Sequence, residues 1–263
     1  MKLAVIGCGN MASAIIGGLI AKGMMKPEEI TASDKSAAAR QKAEKEMGIH
    51  TEEDNVRCVQ DADLVLFAVK PGVFPLVAPE VKEAVKGKLI LSIMAGKSIA
   101  DLEALLGEDQ KIVRAMPNTP ALVGEGITGY CPNRNVSPEE LDLVAGILAA
   151  FSQAEQVPES LMSVVTSVSG SSPAYVYMFI EAMADAAVAD GMPRAQAYHF
   201  AAQTVLGSAK MVLETGIHPG QLKDMVCSPA GTTIEGVTKL EEKGFRTAVI
   251  EAVRVCTAKA DSM

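Results

Sequence analysis

The chain has 263 residues, of which 49% are hydrophobic and 4% aromatic, and its formal net charge is −8. This length allows one or two domains, and the composition predicts a large core of aliphatic, Ala and Met side chains. The negative charge and the lack of a Lys/Arg cluster argue against a nucleic-acid partner, because binding to a phosphate backbone needs a basic face.

Cysteine and histidine usage argues against metal and disulfide sites. The cysteines are Cys8, Cys58, Cys131, Cys227 and Cys256. An odd, scattered set without Cys-x-x-Cys is typical of reduced thiols in a cytoplasm, and the three histidines have no metal-ligand spacing. No apolar stretch approaches the length of a membrane span, and glycines interrupt the first apolar run too early for a secretory signal. We therefore expect a soluble, cytoplasmic protein.

Strands and helices alternate through the first half of the chain. The pattern predicts strands at Lys2–Ile6, Glu29–Ser33, Leu64–Val69, Leu89–Met94 and Lys111–Ala115. Between them it predicts helices at Asn10–Lys22, Lys35–Met47, Phe74–Val85 and Ile99–Leu106. Continuous apolar strands alternating with helices indicate a parallel sheet covered on both faces. Short strands at Ile127–Cys131 and Ala154–Val157 flank a helix that begins after Ser137, and we expect them to finish the sheet.

Every segment after Pro158 is predicted to be helical. These helices are Pro173–Asp190, Arg194–Thr215, Gln221–Val226, Thr233–Lys243 and Phe245–Lys259. Small side chains dominate residues 181–190 and permit close helix–helix approach, so this all-α segment is a candidate dimerisation unit. An ordinary bundle within one chain is the alternative. We expect two domains, residues 1–158 and 159–263.

A glycine-rich turn follows the first predicted strand and opens the first helix. Residues 5–12 read Val-Ile-Gly-Cys-Gly-Asn-Met-Ala, a Gly-x-Gly-x-x-Ala pattern. Gly7 permits the tight turn, Gly9 lets the backbone approach a pyrophosphate, and Ala12 keeps the helix close to its strand. The helix N-terminus offers amide donors to the phosphates. This context indicates a dinucleotide site in a Rossmann-like, mostly parallel sheet domain, with a purely structural turn as the alternative.

A second glycine-containing loop is the best candidate for a substrate site. It reads Val-Cys-Ser-Pro-Ala-Gly-Thr-Thr over residues 226–233 and leads into a helix. Backbone N–H groups at the positive end of a helix dipole, with hydroxyls from Ser228, Thr232 and Thr233, can bind a small carboxylate or phosphate without an Arg. Simple N-capping of the helix is the alternative.

The chain closely resembles the pyrroline-5-carboxylate reductase family over essentially its whole length. The blocks that carry the resemblance, in the family's order and spacing, are Gly-x-Gly-Asn-Met-Ala, Ala-Val-Lys-Pro at residues 68–71, Met-Pro-Asn-Thr-Pro at 116–120, Ser-Gly-Ser-x-Pro-Ala-Tyr at 169–175 and Ser-Pro-x-Gly-Thr-Thr at 228–233. The family usually has Gly where this chain has Ser172 and Ala230, and at both positions the added Cβ makes a positive φ costly.

The resemblance implies hydride transfer from a nicotinamide to the cyclic imine of 1-pyrroline-5-carboxylate, giving L-proline. It implies a cofactor site made of Ile6, Gly7, Cys8, Gly9, Asn10, Met11, Ala12, Asn55, Ala68, Val69, Lys70, Pro71, Met94, Ala95 and Gly96. It implies a substrate site made of Ser228, Ala230, Gly231, Thr232 and Thr233. We expect Thr233 to contact the imine nitrogen, while positioning of the two rings supplies most of the catalysis. A homodimer or a larger homo-oligomer is also implied.

The cofactor choice depends on the end of the second predicted strand. Asp34 there would bond a ribose 2′-hydroxyl and repel a 2′-phosphate, which favours NADH. Ser33 and Lys35 beside it could instead receive that phosphate, and Lys35 offsets the charge of Asp34. Since the resemblance also favours NADPH, we expect NADPH, with NADH as the open alternative.

Two other functions fit parts of the sequence. A β-hydroxyacid dehydrogenase has the same plan but places a catalytic Lys on the first long helix of its second domain. This chain has no Lys between Lys111 and Lys210, and Tyr175 and Tyr177 lie at the start of that helix. The absence of this Lys counts against alcohol oxidation. A nucleotide-binding sensor without turnover is the other alternative, and only an assay separates it from an enzyme.

Overall fold

The structure is a computed structural model that describes residues 1–263. The chain divides into two compact units, one made of Met1–Ser171 with Cys256–Met263 and the other of Ser172–Val255. The domain boundary expected after residue 158 stays a prediction. No helix in either unit is both long enough and apolar enough to cross a membrane.

The first unit is built on one mostly parallel sheet. Its strands are β1 (Leu3–Ile6), β2 (Ile30–Ser33), β3 (His50–Glu52), β4 (Leu64–Phe67), β5 (Leu89–Ser92), β6 (Lys111–Met116), β7 (Gly126–Pro132) and β8 (Ser152–Gln156). They lie in the order β3-β2-β1-β4-β5-β6-β7-β8, and only the β6–β7 pair is antiparallel. This arrangement confirms the predicted α/β class, and β7 and β8 complete the sheet as expected.

The helices follow the strands in the chain. They are α1 (Asn10–Ala21), α2 (Ala37–Met47), α3 (Asn55–Val59), α4 (Phe74–Val81), α5 (Ile99–Leu106), α6 (Pro138–Ala149), α7 (Met162–Val165), α8 (Ser172–Ala189), α9 (Arg194–Thr215), α10 (Pro219–Val226), α11 (Thr232–Glu242) and α12 (Phe245–Asp261). The predicted bounds of α5 and α9 are confirmed. Ser98 forms a capping box at the start of α5, and Ser137 forms one at the start of α6. Such a box is a local sequence pattern, which explains why the starts of these helices could be predicted.

Both faces of the sheet are covered. Along β1, Leu3 and Val5 belong to one buried cluster, whereas Ala4 and Ile6 belong to another. The same alternation runs along β4, because successive strand residues point to opposite faces. A strand buried on both faces is apolar throughout, which is why these strands read as continuous hydrophobic runs.

Some local structure differs from the sequence-based expectation. β3 and α3 were not predicted, because a strand of three residues reading His-Thr-Glu has no apolar period. β4 ends at Phe67 rather than Val69. A π-helical segment, Thr166–Ser171, lies where the sequence predicts only the approach to a helix, and its backbone has no distinct compositional signal.

The second unit is helical and buries few side chains. Its buried apolar cluster consists of Ala184, Ala197 and Ala201. An apolar groove of about 750 Å³ runs along its surface, lined by Tyr175, Met178, Phe179, Ala182, Met183, Ala186, Leu240, Phe245, Ala248, Val249 and Ala252. We call this surface the helical groove.

Candidate functional site

The glycine-rich turn lies between β1 and α1. Gly7 has a φ of +108°, and a Cβ there would lie 2.8 Å from the carbonyl oxygen of Ala68, so only glycine fits. A Cβ built on Gly9 meets no atom within 4 Å, because this position faces open space. Gly9 is the N-cap of α1 and supplies no side-chain acceptor. The first amides of α1 are therefore open to an anion.

A cavity of about 500 Å³ begins at this turn. It lies where the strand order reverses between β1 and β4, the place where open α/β sheets bind ligands. Its lining residues are Ile6, Gly7, Gly9, Ser33, Asp34, Lys35, Asn55, Ala68, Val69, Lys70, Val73, Leu76, Val77 and Glu80. We call it the cofactor cavity, and most of the predicted cofactor residues meet there.

Asp34 is bound to the glycine-rich turn. Its Oδ2 accepts the backbone N–H of Cys8 at 3.0 Å, and its Oδ1 accepts the N–H of Ser36 at 2.8 Å. Arg40 donates through Nη1 to the Asp34 carbonyl oxygen at 2.6 Å. Burial, and then the charge of Asp34, raise the pKa of the Cys8 thiol to about 11, so Cys8 is neutral at physiological pH. It offers no thiolate nucleophile beside the turn.

A chain of hydrogen bonds runs from the core to the rim of the cofactor cavity. Ser33, which is fully buried, donates through Oγ to Asn55 Oδ1 at 2.8 Å. Asn55 Nδ2 donates in turn to Glu80 Oε2 at 2.9 Å. Both ends of the Asn55 amide are therefore engaged, and the direction of the Glu80 carboxylate is set from within the sheet.

The remaining predicted cofactor residues do not line this cavity. They are Cys8, Asn10, Met11, Ala12, Pro71, Met94, Ala95 and Gly96. Ala12 and Met94 are buried in the apolar clusters on the two faces of the sheet. Gly96 has a φ of +70°, and the side chain of Met263 packs against it. The roles of these residues in the site stay predictions.

Sequence reasoning missed the wall of the cavity that α4 contributes. Val73, Leu76, Val77 and Glu80 line it but were not predicted. A signal was present, because Val73, Leu76 and Glu80 are spaced as neighbours on one helical face. That face lies beside the buried face of α4, and its two apolar side chains, Val73 and Leu76, are exposed rather than packed in the core.

The predicted substrate loop lies in the second unit, between α10 and α11. Its Ser228 carbonyl accepts the Gly231 N–H at 3.0 Å, and a Cβ on Gly231 would overlap Ser228 Oγ. Ala230 has a φ of +54° and is the only residue besides glycine with a positive φ, as the family's usual Gly there suggests. Gly231 caps α11 without a side-chain acceptor, so the amides near Thr232 and the half-buried Thr233 are open to an anion.

Ser172 differs from Ala230, because its φ is not positive. The added Cβ at this position therefore brings no left-handed strain. Neither unit contains a group of three or more His, Cys, Asp and Glu side chains that could hold a metal ion.

Two family models match the chain. The model described as pyrroline-5-carboxylate reductase dimerisation matches residues 159–263. The model described as NADP oxidoreductase, coenzyme F420-dependent, matches residues 2–96. The second match contains the glycine-rich turn and every residue that lines the cofactor cavity, and the first contains the loop at residues 226–233.

Relatives named pyrroline-5-carboxylate reductase match over nearly the whole length of both chains. The chain is 54% identical to the pyrroline-5-carboxylate reductase of Escherichia coli, with 100% of this chain and 98% of the relative covered. It is 47% identical to that of Methanosarcina acetivorans, with 96% and 94% covered. A crystal structure of pyrroline carboxylate reductase from Plasmodium falciparum with NADP bound matches with a TM-score of 0.92 and 34% identity, covering 100% of this chain and 97% of that one.

Proposed function

The chain belongs to the pyrroline-5-carboxylate reductase family, and on that basis we propose that it is an NAD(P)H-dependent oxidoreductase acting on a C=N bond. It reduces 1-pyrroline-5-carboxylate to L-proline, the last step of proline biosynthesis. The observation that carries this proposal is the 54% identity to a reductase of that name over the whole chain. The dehydrogenase and sensor alternatives have no comparable support.

The glycine-rich turn fits a dinucleotide phosphate. A Cβ at Gly9 would enter the space in front of α1, and glycine leaves that space to the phosphate. When bound, the reduced nicotinamide would supply a hydride to the C=N carbon of the imine, whose nitrogen arrives protonated, so that the product is the secondary amine of L-proline. We assign the cofactor to Ile6, Gly7, Cys8, Gly9, Asn10, Met11, Ala12, Ser33, Asp34, Lys35, Asn55, Ala68, Val69, Lys70, Pro71, Met94, Ala95 and Gly96.

NADPH is the proposed preferred cofactor, with NADH as the alternative. The carboxylate of Asp34 is engaged by the N–H groups of Cys8 and Ser36. These contacts partly satisfy its charge, and Lys35 lines the same cavity and offers a cation to a 2′-phosphate. The relative from Plasmodium falciparum, whose structure has NADP bound, supports the same choice.

The loop between α10 and α11 is the proposed substrate site. Its residues Ser228, Ala230, Gly231, Thr232 and Thr233 would hold the substrate carboxylate and ring nitrogen. The open amides at the start of α11 suit the carboxylate, and a hydroxyl of Thr233 suits the imine nitrogen. An iminium is already an electrophile, so the main task of these residues is to hold the ring in place.

Association and location rest on two different observations. We propose a homodimer or a larger homo-oligomer formed through residues 159–263, the segment that matches the dimerisation model. We also propose a cytoplasmic location, because the scattered cysteines are typical of a reducing compartment.

The direct test is oxidation of NADPH, and separately of NADH, by the purified protein with 1-pyrroline-5-carboxylate. Saturable oxidation with formation of L-proline is the expected result, and NADPH is expected to have the higher kcat/KM. Protein that binds a reduced cofactor but does not oxidise it with this substrate would contradict the proposed reaction. Equal or better turnover with NADH would contradict the proposed cofactor preference.

A further inference from the structure

One wall of the cofactor cavity presents apolar side chains to solvent. Val73, at the start of α4, is 39% exposed, and Leu76 is 71% exposed, although both line the cavity. Exposed apolar side chains at the edge of a cavity gain by being covered with a ligand's apolar surface. A flat base is such a surface, and the adenine of a nicotinamide dinucleotide belongs here because Asp34 and Lys35, the proposed partners of its ribose, line the same cavity.

A carboxylate lies on the same helical face. Glu80 is about one turn of α4 beyond Leu76 and lines the same cavity. Its Oε2 is held by Asn55 Nδ2, and Asn55 is held by the buried Ser33. Glu80 is exposed to solvent, but the hydrogen bonds from Ser33 through Asn55 fix the orientation of its carboxylate. An oriented carboxylate beside an apolar wall can select a hydrogen-bond donor on the edge of a base.

We propose that Glu80 accepts a hydrogen bond from the exocyclic amino group of the adenine of the cofactor. The inference rests on the proposed function, since it assumes that a nicotinamide dinucleotide occupies the cavity. An ionised carboxylate is acceptor-only, so it matches an amino group and opposes a carbonyl oxygen at the same position. Hypoxanthine has that carbonyl. Glu80 therefore selects adenine over hypoxanthine, while Val73 and Leu76 contact the face of the ring.

The test compares the binding of two cofactors that differ only at this group. The probes are NADPH and reduced nicotinamide hypoxanthine dinucleotide phosphate, with Kd measured by calorimetry on the full-length protein. We expect the wild type to bind the hypoxanthine analogue about tenfold more weakly, in the range for a hydrogen bond to a charged group. In Glu80→Gln the amide oxygen can keep the bond from Asn55 while its NH₂ faces the base. We expect this variant to lose or reverse the preference.

A matched control keeps the change of charge but moves it away from the cavity. Glu83→Gln removes the same charge just beyond the end of α4, and Glu83 does not line the cofactor cavity. It should keep the wild-type preference. Equal affinity of the wild type for both cofactors, or an unchanged preference in Glu80→Gln, would overturn the role of Glu80 and leave the proposed function standing. Failure of the wild type to bind NADPH at all would overturn both.

Discussion

The two units of the chain bury apolar side chains to very different extents. In the first unit, β1, β4 and β5 are buried along their whole length, and helices cover both faces of the sheet. In the second unit, α10, α11 and the part of α12 up to Val255 have no buried residue, and Leu213 is 84% exposed. The first unit therefore completes its core alone. The second leaves apolar surface that another copy of the chain can cover, which agrees with its match to a dimerisation model.

The largest expected effect separates ligand binding from folding in the first unit. Gly9→Val should abolish NADPH binding, weakening it by more than about 100-fold, because its side chain occupies the place of the pyrophosphate. Thermal unfolding should stay near the wild type, since a Cβ at Gly9 meets no atom within 4 Å. Calorimetric titration and a melting curve measure the two effects.

Gly7→Ala is the matched variant with the opposite pattern. Its Cβ would lie 2.8 Å from the carbonyl oxygen of Ala68 at a φ of +108°, so it should lower the melting temperature. If Gly9→Val bound NADPH with wild-type affinity, the glycine-rich turn would not be part of the cofactor site.

The next effect concerns the helical groove. Val249→Asp places a charge among apolar side chains and should weaken self-association by about 100-fold, since a buried unpaired charge is costly. NADPH binding by the first unit should persist. Sedimentation at several protein concentrations measures the association, and Gln203→Glu on α9, outside the groove, controls for the charge. Unchanged association in Val249→Asp would mean that the groove is not the contact surface.

A smaller effect is expected at the substrate loop. Thr233→Ala should lower kcat/KM for 1-pyrroline-5-carboxylate by about 10- to 100-fold, the range for a hydrogen bond to a charged group. The Kd for NADPH should not change. Thr238→Ala makes the same substitution farther along α11, where the hydroxyl donates to the Ile234 carbonyl, and should leave the kinetics near wild type. Unchanged kinetics in Thr233→Ala would place the substrate site elsewhere.

The smallest effect is a gain in stability. Ala230 has a φ of +54°, a conformation that costs an L-residue about 1 kcal/mol, so Ala230→Gly should raise the free energy of unfolding by about that amount. Ala209→Gly within α9 should lower it by about 1 kcal/mol, because glycine destabilises a helix interior. Urea unfolding at one fixed protein concentration compares the two variants. A loss of stability in Ala230→Gly would contradict the inference that the backbone of Ala230 is strained.

Prediction from the sequence worked best where the signal is local. The Ser98 capping box begins α5, and Gly216 in the left-handed conformation ends α9, so both helices have the bounds that were predicted. It failed for β3, whose three polar residues form a strand only because β2 offers a pairing edge. It also missed Glu80, which lines the cavity and meets Asn55 only because α3 and α4 pack side by side.

The order of elements, the parallel sheet and the glycine-rich turn could be derived from the chain alone, because apolar periodicity and turn residues act over a few neighbours. The family came from the resemblance of five sequence blocks instead. The side chains that meet across the cofactor cavity could not. Ser33, Asn55 and Glu80 come from three different elements, and only the packing of the sheet and its helices brings them into one hydrogen-bonded chain. The orientation of Asp34 toward the N–H of Cys8 was decided in the same way, because that bond exists only once β1 and β2 are paired.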